Sequence, residues 1–156
     1  MRLLIMLIMA LLMSSAVPAI AGPLEDGFTA YEKGDYATAL RLWRPLAEQG
    51  NAEAQVGLGL LYLNGWGVPR DYAAAVAWYR KGAEQGAAKA QNNLGLLYTH
   101  GVGVPRDFVQ AHMWFTLSAA QGNADATKNR ANAAAKMTPA QIAEAQKLAR
   151  EWKPKR

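Results

Sequence analysis

The sequence predicts an all-α protein, a solenoid of stacked helix-turn-helix repeats, on three observations. Residues 50–85 lie over residues 86–121 with a shift of 36, and 19 of the 36 positions are identical, among them Gly65-x-Gly67-Val68-Pro69-Arg70-Asp71 against Gly101-x-Gly103-Val104-Pro105-Arg106-Asp107. Within each unit the apolar residues recur at helical spacing. Glycine and proline interrupt both units at the same places. A fixed period between 20 and 50 residues marks a repeat array. A unit of this size cannot bury its own apolar face, so neighbours must stack.

Residues 1–21 read as a signal peptide. Arg2 supplies a short positive start, Leu3 to Met13 is an unbroken apolar run, and Ala19-Ile20-Ala21 fits the small-x-small cleavage rule. The run falls well short of the ~20 residues that span a bilayer. Cleavage near Ala21/Gly22 sends the mature chain to the periplasm or out of the cell. The sequence contains no cysteine, so a lipid-modified cysteine is excluded and the exported fold relies on packing instead of disulfides.

Residues 22–50 form an atypical N-terminal repeat. Ala30-Tyr31 ends one helix, Gly34-Asp35 makes the turn, and Ala39, Leu40, Trp43, Leu46 and Ala47 line the next. Tyr36, Ala39 and Ala47 stand 36 residues before Tyr72, Ala75 and Ala83, while the turn is four residues shorter. Terminal repeats are commonly atypical because they cap the array.

Residues 51–86 and 87–122 are the two regular repeats. In the first, Ala54, Leu58, Leu61 and Tyr62 share one helical face. Gly65 and Gly67 stop that helix, and Pro69 keeps it from resuming. Asp71 and Asp107 stand at N-cap positions. The second helix carries Ala75, Trp78, Tyr79 and Ala83 on one face, and Gly86 or Gly122 ends it. Gly59, Ala75 and Ala83 are small enough to let the helices approach closely.

These residues resemble the Sel-one-like repeat (SLR), a relative of the tetratricopeptide repeat. The resemblance rests on Ala54-x-x-x-Leu58-Gly59-x-Leu61-Tyr62, the Gly-x-Gly-Val-x-x-Asp turn, and Ala75-x-x-Trp78-Tyr79-x-x-Gly82-Ala83 with its closing Gly86. Phe108, Phe115 and His112 are small departures in the second unit. The resemblance implies a right-handed α-solenoid that binds other proteins. One SLR branch is linked to β-lactam binding and hydrolysis. That branch is stapled by disulfides, so a hydrolase is the alternative reading for this cysteine-free chain.

Residues 123–156 are expected to be C-terminal capping helices with a basic tail. Asn123 is placed to start a helix, and Thr138-Pro139-Ala140-Gln141 is a strong helix start. Ile142, Ala145, Leu148, Ala149 and Trp152 make the last apolar stripe. Residues 22–123 hold 8 basic and 9 acidic side chains, and residues 124–156 hold 8 basic and 3 acidic. The bland expectation for Lys153-Pro154-Lys155-Arg156 is a frayed, solvated tail. The functional alternative is attraction to a cell-wall polymer or an anionic membrane surface. No nucleic-acid motif is present, so no nucleic-acid partner is expected.

No catalytic, cofactor or metal residues are assigned. Ser118 is the only serine after the leader, without a lysine or histidine at catalytic spacing. His100 and His112 are twelve apart and lack carboxylates to complete a metal site. Glu48 and Glu84 occupy one repeat position, which makes them helix-end carboxylates.

The partner-binding expectation falls on the first helices, which line the concave face in the related tetratricopeptide fold. Glu53, Val56, Leu60, Leu63 and Asn64 form one stripe, and Lys89, Asn92, Leu96, Thr99 and His100 the next. Trp66, on a glycine-flanked turn that has Val102 at its counterpart, is either a further anchor or an aromatic folded back onto the solenoid. The function expected is an exported, non-catalytic protein–protein interaction module, an adaptor or regulator in the cell envelope. Another protein or peptide would occupy its groove.

Overall fold

The computed structural model describes residues 22–155, and the leader expected over 1–21 lies outside them. The described residues form eight helices and no strand. They are α1 (Pro23–Glu32), α2 (Tyr36–Glu48), α3 (Ala52–Asn64), α4 (Tyr72–Glu84), α5 (Ala88–His100), α6 (Phe108–Ala120), α7 (Ala124–Ala134) and α8 (Pro139–Glu151). Each helix from α1 to α6 packs on the next, and α3, α5 and α7 also touch in turn. The result is an all-α helical-repeat solenoid with its first helices side by side. None of the described helices is long and apolar enough to cross a membrane.

The helix ends follow from local chemistry. Asp35, Asp71, Asp107, Asn51 and Asn123 each accept a hydrogen bond from the backbone N–H three residues on. This satisfies amide groups that a helix start leaves without partners. Thr138 and Gln141 close a capping box at α8. Gly65 and Gly101 end α3 and α5 with φ of 70° and 66°, the left-handed conformation glycine adopts without penalty. Gly67 is needed for a second reason. A Cβ there would lie 2.8 Å from the Tyr36 carbonyl carbon, because each long turn backs onto the start of the preceding second helix.

The core repeats with the sequence. Trp43, Tyr79 and Phe115 occupy one repeat position, 36 residues apart, and all three are buried. Each packs closely against a glycine of its own first helix. A Cβ would stand 2.2 Å from the ring at Gly27, 2.5 Å at Gly59 and 2.6 Å at Gly95. Between units, the Arg44 guanidinium donates to the Tyr62 hydroxyl at 3.1 Å, and Arg80 does the same to Tyr98 at 2.8 Å. Tyr62 and Tyr98 are therefore half-buried, with their hydroxyls at the surface, while Leu58, Leu61, Leu94 and Leu97 are fully inside.

The C-terminal end departs from the repeat. α8 packs chiefly on α6, where Leu148, Ala149 and Trp152 join the cluster around Trp114. The Trp152 and Trp114 rings meet edge to face at 6.2 Å. The tail is docked and not frayed. The Lys155 amide donates to the Glu84 carbonyl at 2.7 Å, and its ammonium lies 2.9 Å from the Glu84 carboxylate.

Candidate partner-binding grooves

The stripe expected along the first helices is divided into two concavities. The larger, about 710 Å³, is walled by α1, α3 and α5. It holds Glu53, Val56 and Leu60 from α3 and Lys89 from α5, all four expected from the sequence. Phe28 and Tyr31 of α1 complete it over a floor that includes Trp43 and Gly57. The smaller, about 410 Å³, lies between α5 and α7 and holds Leu96, Thr99 and His100. Asn129, Asn132 and Lys136 face them.

Four expected residues line neither concavity. Leu63 packs into the cluster around Val76 and Tyr79. Asn64 turns its amide back to the Leu60 carbonyl at 2.9 Å. Asn92 is buried because α7 covers it, and its side-chain oxygen accepts from Asn129 at 3.0 Å. Trp66 folds back onto the first unit, stacked on Tyr36 at 4.8 Å between ring centres. The apolar residues expected to face solvent, Val56, Leu60, Leu63 and Leu96, are half-buried. The most exposed large apolar side chain of the larger groove is Phe28, at 37%.

Phe28 was within reach of the sequence. With the first turn four residues short, Phe28 falls at the repeat position of Leu60 and Leu96, and Gly27 at that of Gly59 and Gly95. This one repeat position therefore supplies Phe28 and Leu60 to the larger groove and Leu96 to the smaller. Its charges are Glu53 on α3 and Lys89 on α5. Burial, and then the neighbouring Tyr36, push the Tyr31 hydroxyl above its ordinary range, so it stays neutral.

The remaining polar candidates have structural partners. The Ser118 hydroxyl donates to the Ala88 carbonyl at 2.7 Å. His112 is buried, with Nδ1 3.4 Å from the Thr116 hydroxyl. Burial, and secondarily Arg130, hold its pKa below the usual imidazole range. Among the described residues no group of three or more His, Cys, Asp or Glu is placed to hold a metal ion.

Stacked two-helix units with a groove along the first helices define a helical-repeat interaction scaffold. The Sel1 repeat profile matches residues 24–51, 52–86 and 88–123, and the chain belongs to the Sel1 repeat family. Proteins of this family typically mediate protein–protein interaction, and the fold is generally a non-catalytic scaffold. The chain is 36% identical to c5321, a protective antigen present in uropathogenic Escherichia coli strains displaying an SLR fold. That match has a TM-score of 0.80 and covers 83% of this chain and 29% of the other. It is 37% identical to a Sel1 repeat protein from Oxalobacter formigenes, with a TM-score of 0.66, over 69% of this chain and 44% of the other. This chain thus spans less than half the length of either. No curated protein matches it.

Proposed function

We propose that the protein is an exported, non-catalytic interaction module of the cell envelope, and that a segment of its partner lies in the groove formed by α1, α3 and α5. The observation that carries this reading is the concavity itself: about 710 Å³, open to solvent, with Phe28, Val56 and Leu60 presented in it. Grooves of this kind take an extended peptide or a helix whose apolar side chains enter at intervals. Each such side chain fully buried contributes roughly 1.5–3 kcal/mol. Export is supported by the apolar run Leu3–Met13 and the Ala19-Ile20-Ala21 site.

In-cell crosslinking followed by mass spectrometry identifies the partner, and the double variant Phe28→Glu, Leu60→Glu then tests the site. We expect it to keep its helical circular dichroism and to lose the partner. A folded double variant that still captures the partner places the site elsewhere.

A further inference from the structure

The smaller concavity differs chemically from the larger. Its floor is Leu96, but its rim is polar: the Thr99 hydroxyl is spent on the Gly95 carbonyl and one Asn129 amide hydrogen on Asn92, while His100, Asn132 and Lys136 keep groups able to donate a hydrogen bond into the cavity. No carboxylate lines it. The helices around it are equally poor in acid. α5 and α6 contain no Asp or Glu, and the single one in α7, Asp125, is in its first turn, at the end away from Lys136. Asp107, just before α6, is engaged by the Gln110 amide. A second cation stands close by. The Lys136 ammonium and the Arg106 guanidinium lie 5.7 and 5.5 Å from the centre of the same Phe108 ring. Among the described residues the only salt bridge is Lys155–Glu84, so neither cation has an internal carboxylate partner. Two like charges brought to one ring beside a donor-rimmed cavity complement an anion.

We propose that the α5–α7 cavity receives a carboxylate of the partner, an acidic side chain held by Lys136 and the Asn132 amide. This deepens the groove reading above and rests on it for the identity of the occupant as a peptide segment. Along α5 the two concavities are centred about eight residues apart, roughly 12 Å at 1.5 Å per residue, on opposite sides of that helix.

The test uses the isotope-labelled chain 22–156 and two probes, acetyl-Glu-Glu-amide and acetyl-Gln-Gln-amide, titrated at low salt and followed by amide chemical shifts. The acidic dipeptide should give saturable shifts grouped on Thr99, His100, Asn129, Asn132 and Lys136, and the amide control should not. Lys136→Ala should weaken the acidic dipeptide threefold or more. Lys81→Ala, whose ammonium rests on Trp78, should change it by less than that. Overturning results are shifts scattered over the basic surface, equal shifts from both probes, or a loss below threefold in Lys136→Ala. Those results would leave the larger groove untouched, since its test is partner capture by the Phe28, Leu60 variant.

Discussion

Gln85 donates from its side-chain amide to the side-chain oxygen of Gln55 at 2.8 Å, and the same bond recurs 36 residues on, from Gln121 to Gln91 at 2.9 Å. The accepting glutamines are buried, and each passes the contact on. Gln55 donates to the Ala47 carbonyl at 3.0 Å, and Gln91 to the Ala83 carbonyl at 3.3 Å. Both carbonyls belong to the last turn of a helix, where they lack the usual i+4 donor and accept the glutamine amide besides the backbone N–H of Gly50 or Gly86. One amide pair therefore ties the end of one repeat to both helices of the next.

Gln55→Leu should destabilise the protein by about 1 kcal/mol, because it removes the buried amide's bond to the Ala47 carbonyl and the acceptor of Gln85, while that carbonyl keeps the Gly50 amide at 3.1 Å. Gln85→Ala should cost less, since that residue is exposed. A double-mutant cycle in urea measures the pair, and additive effects would show that the two amides do not act together.

Gly59→Ala adds a methyl group that would stand 2.5 Å from the Tyr79 ring. Helix propensity alone favours alanine over glycine by about 1 kcal/mol. The ring is fully buried and tight against the helix, so overpacking, about 1–3 kcal/mol, should outweigh that gain. Thermal melts should place Gly59→Ala and Gly95→Ala both below wild type. A melt above wild type would mean the aromatic rings move aside freely.

His112 carries a pH dependence. Its folded-state pKa is lowered, first by burial and then by Arg130, from an unfolded value near 6.5. Below the unfolded pKa the unfolded chain binds a proton that the folded chain resists, so stability falls as pH drops from about 6.5 toward the folded value and is unaffected above it. The melting temperature should decline between pH 7.5 and 5.5, and His112→Gln should flatten that slope. An unchanged slope in the variant assigns the dependence to another group.

Export is checked by mass. The purified mature protein is expected to start at or near Gly22. Retention of Met1 in a membrane fraction would show an anchored protein instead.

How far the sequence reveals this structure depends on how closely each part keeps the period. The repeats, the caps at Asp35, Asp71 and Asp107, and the buried Leu58, Leu61, Leu94 and Leu97 are legible because 36-residue spacing puts like residues in like environments. The groove was half legible. Glu53, Val56, Leu60 and Lys89 follow from repeat position, whereas Phe28 needs the four-residue deletion carried through α1. Asn92 was misplaced as partner-facing because α7, which covers it, drifts off the pattern. Asn129 stands 37 residues from Asn92, one off the repeat. Lys136 and Asn132 fall beyond the last recognisable repeat position, so no register could assign them to a cavity. Trp66 looked like an exposed anchor because its partner, Tyr36, lies thirty positions back across the array. The docking of Lys155 on Glu84 depends on α8 packing against α6, which no local signal encodes.

The central claim is that the first-helix groove meets a partner. A photo-crosslinking amino acid placed at position 60, in the groove, and at position 77, exposed on α4, compares the two faces in living cells. The account predicts a discrete crosslinked species from position 60, abolished by Phe28→Glu, and none from position 77. Crosslinks from position 77 with none from position 60 would contradict it.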